Sequence, residues 1–265
     1  MFQLTDRRVL ITGGTQGVGA EIAIALAKAG ADVLLVGLQH DQAAEQTLAD
    51  CRQQGVKADL LTVDLSQSPD RYVDDLITRA EKTLPGIDTL INNAGTYVDV
   101  GFLEMDLQRY QRTMNLNVTA GYFLTQAFAK RWVAEKVNGR VLFTGSINGL
   151  LAEPDHTAYD TSKGAVAAMV RSLCVSLAPH GIRVNSIAPG LVRTPLTNTV
   201  LDQDNGLLEW MQLHTPNGQV PPPEVCAGAA VFLLSDEASH IHGQTLYVDG
   251  GMSVWQQPDP PADHP

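Results

Sequence analysis

The chain of 265 residues carries 18 Lys and Arg against 29 Asp and Glu, a net charge of −11 at pH 7. An acidic surface repels polyphosphates, so no nucleic acid partner is expected. Apolar residues make up 44% of the sequence, which is typical of a globular chain that buries a core. No apolar run has the length needed to cross a bilayer, so no membrane partner is expected either.

Three cysteines, Cys51, Cys174 and Cys226, are scattered without the spacing of a disulfide framework or a metal site. No metal is expected, and free thiols fit a reducing cytoplasm, which is the expected localisation. The N-terminal sequence MFQLTDRRVLITGG has its charges directly before a short apolar run that ends in glycines. This pattern predicts a first β-strand rather than a signal peptide.

Short apolar runs alternate along the chain with stretches of helical periodicity. Strands, with their adjoining turns, are predicted at 7–14, 31–37, 58–66, 87–95, 139–147, 182–190 and 243–251. Helices are predicted at 19–30, 40–55, 69–84, 106–137, 155–180 and 223–235. The alternation predicts an α/β fold in which helices cover both faces of a mostly parallel sheet.

No linker divides the chain, so residues 1–255 are predicted to form one domain. Residues 191–222 break the alternation and contain several prolines. We interpret this segment as a substrate loop, part of which orders over the ligand as a lid. Residues 256–265 are too rich in proline and polar residues to form an element alone, and are predicted to be a tail.

The turn after the first strand reads TGGTQGVG, residues 12–19, and opens the first helix. Glycines permit a tight turn and let the backbone approach a pyrophosphate closely. The N-terminus of the helix offers unpaired N–H groups and a favourable dipole to the phosphates. An ordinary glycine-rich turn is the alternative, but the position between a first strand and a first helix favours a dinucleotide site.

In the predicted helix 155–180, the segment YDTSK places Tyr159 and Lys163 four residues apart. Such residues lie on one helix face, one turn from each other. A Tyr–Lys pair at this spacing is common by chance, and it does not indicate catalysis by itself. Its interpretation depends on what the rest of the chain supplies.

The sequence resembles the short-chain dehydrogenase/reductase family at one motif after another. The matching features are TGGTQGVG at 12–19, VDLS at 63–66, NNAG at 92–95, Ser146 thirteen residues before Tyr159, PGLVRT at 189–194 and YVDGG at 247–251. Each motif is weak alone, but together they are specific and span about residues 5–252. The resemblance implies a Rossmann-type, doubly wound sheet and an NAD(P)-dependent oxidoreductase.

The resemblance also implies a set of site residues. Those implied to hold the cofactor are Gly13, Thr15, Gln16, Gly17, Val18, Gly19, Gly37, Leu38, Asp64, Leu65, Asn93, Ala94, Gly95, Tyr159, Lys163, Pro189, Gly190, Val192 and Thr194. Those implied to be catalytic are Asn117, Ser146, Tyr159 and Lys163, with Asn115 as the alternative to Asn117.

These four residues fit the oxidation of a secondary alcohol or a sugar hemiacetal by hydride transfer. Because the cofactor accepts the hydride, the protein must remove the hydroxyl proton. Tyr159 is the expected base, and the acid in the reverse direction, with Lys163 and the oxidised nicotinamide favouring its phenolate. Ser146 would hold the reacting oxygen, and Asn117 would position a water that links Lys163 to solvent.

The choice of cofactor is expected to depend on the end of the second strand, Val36-Gly37-Leu38-Gln39-His40. Gly37 stands where the family's NAD-type acid is expected, and Leu38 where its NADP-type arginine is expected. The family's other basic position is Gln16. Without a fixed cation a 2′-phosphate is poorly compensated, so we expect NAD, with NADP and dual use left open.

Glu153 and His156, just before Tyr159, are candidate substrate-binding residues together with Ser146 and Tyr159. Polar groups of this kind suit a hydroxylated small molecule such as a sugar or polyol, because a buried polar group needs a hydrogen-bonding partner. A polar helix start is the simpler explanation of Glu153 and His156.

Two alternatives to a sugar or polyol dehydrogenase stay open. Leu150, Leu151, Leu191 and Trp210 could line an apolar pocket, as in a carbonyl or 3-oxoacyl reductase. The net charge argues against a substrate carried on an acidic protein. A cofactor sensor without catalysis is the other alternative, and the intact Ser, Tyr and Lys argue against it.

The resemblance implies a homo-oligomer, a tetramer, built on the long helices and the C-terminal strand. Within the predicted helix 155–180, an apolar stripe could face either the core or a partner. Its members are Val166, Met169, Val170, Leu173 and Leu177.

Overall fold

The computed structural model describes residues 2–194, 197 and 206–256. Its centre is a seven-stranded sheet in the order β3-β2-β1-β4-β5-β6-β7, and neighbouring strands pair in parallel. The strands are β1 (Arg8–Thr12), β2 (Asp32–Gly37), β3 (Ala58–Thr62), β4 (Thr89–Asn92), β5 (Arg140–Thr144), β6 (Arg183–Pro189) and β7 (Thr245–Val248). The predicted Rossmann-type α/β fold is confirmed.

The helices connect successive strands, as parallel pairing requires. They are α1 (Gly17–Lys28), α2 (Gln42–Arg52), α3 (Val73–Thr83), α4 (Leu107–Met114), α5 (Ala120–Glu135), α6 (Thr157–Leu177), α7 (Leu207–Leu213) and α8 (Ala227–Leu234). Two of them begin at an aspartate that accepts a backbone hydrogen bond, Asp41 before α2 and Asp106 before α4. Within the described ranges, no helix is long and apolar enough to span a membrane.

Alternate residues of each strand point to opposite faces of the sheet, which produces two buried cores. One core packs α1, α2 and α8 against side chains such as Val9, Ile11, Val33 and Leu35. The other packs α3, α5 and α6 against side chains such as Leu10, Leu34, Leu90 and Val141. The stripe on α6 belongs to this second core, so the core explains it without a partner.

The chain order reverses between β1 and β4, which lie side by side at the centre of the sheet. Ligands of doubly wound sheets bind at this switch point, outside the carboxyl ends of the strands. The glycine turn follows β1, the NNAG loop continues from β4, and the segment that leads to Ser146 follows β5, which lies next to β4. The topology therefore places all three at one edge of the sheet.

Two stretches differ from the sequence prediction. The helix predicted at 106–137 is interrupted by a π-helical turn, Asn115–Thr119, between α4 and α5. The loop predicted at 191–222 contains α7, whose apolar Leu207, Trp210 and Met211 have the i, i+3, i+4 spacing of one helix face. With about two helical turns, α7 is too short to be detected in the sequence by hydrophobic periodicity. Residues 195–196 and 198–205 of the predicted loop, and 257–265 of the predicted tail, lie outside the described residues.

Candidate active site

A cleft of about 790 Å³ lies along the carboxyl ends of the strands, between the glycine turn and α7. All the residues that the resemblance assigned to the cofactor line this cleft, as do Ser146, Glu153 and His156. Asn117 instead lines a small cavity beneath it, next to Thr144. The strand ends therefore bring together residues from seven separate parts of the sequence.

The glycine turn is packed too tightly to accept side chains at two positions. A Cβ on Gly13, whose φ is +63°, would lie 2.8 Å from the Ala94 Cα, and a Cβ on Gly19 would lie 2.1 Å from the Gly13 oxygen. The N-cap residue of α1, Gln16, makes no side-chain capping hydrogen bond. The turn thus exposes the N–H groups of the first turn of α1, an arrangement that fits a pyrophosphate.

Two threonines that sequence analysis missed hold the turn in place. The Thr12 hydroxyl accepts from the backbone N–H groups of Asn93 (3.0 Å) and Ala94 (3.1 Å). The Asn93 amide donates to the Gly13 carbonyl (2.9 Å) and accepts from the Thr144 hydroxyl (3.0 Å). Both threonines are polar residues at the last position of a buried strand, and that signal could have identified them.

The end of the cleft expected to hold the adenosine carries no carboxylate at the end of β2. A Cβ on Gly37 would lie 2.7 Å from the Thr15 methyl group, whereas Leu38 is 60% exposed. Asp64 accepts hydrogen bonds from the side chains of Ser66 and Gln67, which lower the pKa of its carboxyl group.

Arg112 also lines this end of the cleft, close enough to Asp64 for its charge to help lower the pKa of that carboxyl group. Sequence analysis missed Arg112, because α4 is distant in sequence from the end of β2. It gives this end of the cleft a cation that the strand-end sequence lacks.

Tyr159, Lys163 and Ser146 meet at the opposite end. The Lys163 ammonium donates to the Thr144 carbonyl (2.9 Å) and lies 5.4 Å from the centre of the Tyr159 ring. Burial lowers the pKa of Lys163 to about 8. Burial also raises the pKa of Tyr159 to about 12, while a hydrogen bond with Ser146 acts in the opposite direction. In the protein alone, the pKa of Tyr159 is therefore raised by burial, and the lowering by Lys163 that the sequence led us to expect is not found.

The side chain of Asn117 is fully engaged within the π-helical turn. Its oxygen accepts from the Thr96 N–H (2.8 Å), and its amide donates to the Thr96 carbonyl (2.8 Å) and to the Ser162 hydroxyl (2.9 Å). This side chain thus fastens the loop after β4 to α6.

Asn115, the alternative to Asn117, points elsewhere and donates to the Ser66 carbonyl (3.0 Å). The Asn117 side-chain oxygen and the Lys163 ammonium lie near the same point: they are 3.4 Å and 3.9 Å from the position that a Cβ on Gly95 would occupy. Asn117, not Asn115, therefore lies beside the lysine.

A family model described as enoyl-(acyl carrier protein) reductase matches residues 13–253, which include the glycines of the first turn and the four catalytic candidates. The chain belongs to the short-chain dehydrogenase/reductase family. It is therefore an oxidoreductase.

Three relatives within this family cover nearly the whole chain. An L-rhamnose 1-dehydrogenase (NADP(+)) of Thermoplasma acidophilum is 34% identical over 257 residues, 96% of this chain and 99% of the relative. A 5-keto-D-gluconate 5-reductase of Escherichia coli K12 is 34% identical over 254 residues, 96% of this chain and 98% of the relative. The solved gluconate 5-dehydrogenase of Burkholderia cenocepacia J2315, in complex with NADP and tartrate, is 31% identical with a TM-score of 0.88, covering 96% of this chain and 98% of that one.

Beside Tyr159, His156 lies between two carboxylates. Its Nε2 pairs with Asp99, and its Nδ1 lies 3.3 Å from Glu153 Oε1. The contact with Glu153, followed by that with Asp99, raises the pKa of His156 to about 9 against the effect of burial. Asn148 donates to Glu153 Oε1 (3.0 Å). Asp99 and Asn148 were missed by sequence analysis, and nothing in the sequence links Asp99 to a histidine 57 residues away.

The apolar pocket suggested by the sequence is present only in part. Leu191 and Trp210 line the cleft. Leu150 and Leu151 do not line it and are 59% and 36% exposed. The cleft is thus lined both by apolar groups, from α7 and the loop before it, and by the polar cluster beside Tyr159.

Proposed function

We propose that the protein is an NAD(P)-dependent dehydrogenase that interconverts a sugar hemiacetal or secondary alcohol and its carbonyl product. One observation carries the proposal: the Tyr159, Lys163 and Ser146 side chains share a cleft with a backbone cradle suited to a pyrophosphate. A bound nicotinamide supplies the hydride acceptor or donor. The family relationship supports the same reaction class.

The residues of the cleft fit such a cofactor. The turn 12–19 and the first turn of α1 would bind the pyrophosphate, and Pro189–Thr194 would face the nicotinamide. We propose that both NAD and NADP are used. No acid at Gly37 repels a 2′-phosphate, and Arg112 supplies a cation nearby. Relatives that are named for NADP(+) or solved with NADP support the use of NADP.

In the proposed reaction Tyr159 accepts the hydroxyl proton from the alcohol and returns it in the reverse direction. Ser146 hydrogen-bonds the reacting oxygen, and its contact with Tyr159 favours the phenolate. The Lys163 ammonium, held by Thr144, places a positive charge behind the ring. Asn117 keeps the loop at Gly95 and Thr96 in register with α6, so that these groups stay aligned.

We propose a small hydroxylated substrate. The cluster of Asn148, Glu153 and His156 presents hydrogen-bonding groups beside Tyr159, and Trp210 on α7 offers an apolar face on which a sugar ring can pack. Relatives that act on rhamnose and 5-keto-D-gluconate support this class. We keep 191–222 as the proposed substrate loop. An apolar carbonyl substrate is the alternative, supported by Leu191 and by the apolar face of α7, Leu207, Trp210 and Met211, all of which line the cleft.

The test is the change in absorbance of the reduced nicotinamide with a panel of aldoses, polyols, hydroxy acids and apolar secondary alcohols, each with NAD and with NADP. Turnover of sugars or polyols is expected with both cofactors. Turnover confined to apolar alcohols would support the alternative. Full turnover by Tyr159→Phe, with cofactor binding intact, would refute the mechanism.

We also propose a homo-oligomer, a tetramer, formed through the exposed apolar surface of α4 and α5 and the segment before them. Leu103 and Leu107 are 90% and 70% exposed, and Phe123 is 39% exposed. Large exposed apolar side chains are typical of an interface when they form a continuous patch. Light scattering coupled to size exclusion should give four times the chain mass, and Leu107→Asp should lower it. A monomer at micromolar concentration would contradict the proposal.

We further propose a cytoplasmic location. Among the described residues Cys51, Cys174 and Cys226 are free thiols, and burial raises the pKa of Cys51 and Cys226 to about 12. Free thiols suit a reducing compartment. Cell fractionation of the native source checks this, and recovery outside the cytoplasm would contradict it.

A further inference from the structure

Carboxylates surround the end of the cleft beside Tyr159. Asp99, from the loop after β4, and Glu153 and Asp155, from the segment before α6, all line it. The side chains of Asp99 and Glu153 are 57% and 42% exposed, whereas His156 between them is 19% exposed. The two carboxylates, rather than the imidazole, are therefore the groups most open to a ligand.

These groups lie close to the reacting centre. The ring centres of His156 and Tyr159 are 5.9 Å apart. The negative charge of Glu153 is one of the causes that raise the pKa of Tyr159. A substrate whose hydroxyl reaches Tyr159 therefore lies within the electrostatic field of these carboxylates.

The charge at this end of the cleft is negative even when His156 is protonated, because three carboxylates and one imidazolium line it. Two cations also line the described cleft. Lys163 is committed to the Thr144 carbonyl beneath Tyr159, and Arg112 lies at the other end, beside Asp64. Residues 195–205 contain no Lys or Arg in their sequence. The positive group at this end is the His156 imidazolium, which Asp99 and Glu153 already pair with, so a carboxylate on the substrate would find no unpaired positive partner among the described residues that line this end.

We propose that Asp99 and Glu153 are specificity-determining residues that select an uncharged polyhydroxylated substrate, an aldose or a polyol, over the corresponding sugar acid. A carboxylate accepts hydrogen bonds from neighbouring hydroxyls of a sugar, but it repels a second carboxylate at short distance in a cleft of low dielectric. This inference rests on the dehydrogenase function proposed above and narrows its substrate class.

Glu153 is held in place for this role. Asn148 Nδ2 donates both to Glu153 Oε1 (3.0 Å) and to Asp160 (2.8 Å), and the Glu153 N–H donates to Asp160 (2.9 Å). The N–H of the same Asn148 donates to the Ser146 hydroxyl (3.1 Å). The Glu153 carboxylate is therefore held at a fixed position relative to Ser146, which would bind the reacting oxygen. From this position it can hydrogen-bond a hydroxyl further along the substrate.

The test compares kcat/KM for two neutral aldoses, L-rhamnose and D-glucose, with kcat/KM for D-gluconate, and for 5-keto-D-gluconate in the reductive direction. It uses the wild type, Glu153→Gln, Asp99→Asn and the double variant. Glu135→Gln removes an exposed carboxylate on α5 and serves as the matched control. Thermal unfolding midpoints establish that each variant is folded.

The wild type should prefer a neutral aldose roughly 100-fold or more, the factor expected for like charges about 6 Å apart. The double variant should narrow this preference by about tenfold or more, mainly through a lower KM for the acid. D-Gluconate should inhibit aldose oxidation weakly in the wild type and more tightly in the double variant. Glu135→Gln should match the wild type.

Equal use of aldose and sugar acid by the wild type would overturn the inference while leaving the dehydrogenase function intact. A preference for aldoses that the double variant leaves unchanged would overturn it as well. Failure to turn over any sugar, neutral or acidic, while apolar secondary alcohols react, would instead refute the proposed function itself.

Discussion

The Lys163 ammonium lies 5.4 Å from the centre of the Tyr159 ring, one turn along the same face of α6. Burial penalises the charged form of both groups, because it raises the pKa of Tyr159 to about 12 and lowers that of Lys163 to about 8. A phenolate and an ammonium attract each other at this separation. In the protein alone, burial favours the neutral phenol over the phenolate at Tyr159.

Replacing Tyr159 with phenylalanine removes the proton acceptor and leaves the ring packing in place. We expect kcat to fall roughly 10²- to 10⁴-fold, the usual contribution of a positioned acid or base. Affinity for the reduced cofactor, measured by fluorescence titration, should change little. Tyr110→Phe, on α4 and 38% exposed, is the control and should retain full activity. Activity of Tyr159→Phe within a few-fold of wild type would exclude Tyr159 as the base.

Lys163 should make stability depend on pH in a definite direction. Its folded pKa of about 8 is below the ordinary 10.5, so the unfolded chain binds more protons between these values. The free energy of unfolding should therefore gain a rising contribution from pH 8 towards 10.5, while the cost of burying the charge is fully present below pH 8. Lys163→Met should lack this contribution.

Urea denaturation of both proteins at pH 7, 8.5 and 10 measures the difference. The stability of the wild type relative to Lys163→Met should increase across this series. Lys130→Met, which alters an exposed lysine on α5, should follow the wild type at every pH. Parallel pH profiles for the wild type and Lys163→Met would show that burial does not perturb this lysine.

Leu38 should control the choice between the two cofactors. It lines the cleft and is 60% exposed, so an arginine there can reach a 2′-phosphate without displacing packed groups. We expect Leu38→Arg to raise the ratio of kcat/KM with NADP to that with NAD by about tenfold or more, since an arginine binds phosphate through paired, charge-assisted hydrogen bonds. Leu38→Gln, uncharged and of similar length, is the control. An unchanged ratio in Leu38→Arg would place the 2′-position elsewhere.

Gly19 should tolerate no side chain. A Cβ there would lie 2.1 Å from the Gly13 oxygen and 2.4 Å from Asn93 Nδ2, so Gly19→Ala must distort the turn. Cofactor affinity should fall and the unfolding midpoint should decrease. Gly228→Ala, in α8, places its Cβ in open space and should be neutral or stabilising by up to about 1 kcal/mol. Titration with reduced cofactor and thermal unfolding compare the two variants. Wild-type cofactor affinity in Gly19→Ala would contradict the proposal that this turn binds the pyrophosphate.

The order of strands and helices and the spacing of the motifs could be predicted from the sequence, because both depend on residues close to each other along the chain. Hydrophobic periodicity placed strands and helices in alternation, and the glycine turn, Ser146, Tyr159 and Lys163 stood at spacings that indicate a nicotinamide enzyme. Bounds were less accurate: the strand predicted at 58–66 ends at Thr62 and the helix predicted at 106–137 contains a π-helical turn. Periodicity does not detect a local change of winding, because the side chains on both sides keep their apolar face.

Tertiary structure alone decided which distant residues meet. The pairing of Asp99 with His156, the position of Arg112 beside Asp64, and the engagement of Asn117 by Thr96 all join segments from different strand ends. Burial, which also depends on the whole fold, placed the pKa of Tyr159 above its ordinary value rather than below it. The sequence by itself determined the family, the elements and the reacting groups, since these depend on neighbours along the chain. The charge and specificity of the cleft depend on contacts that exist only after the parallel sheet has brought its strand ends to one edge.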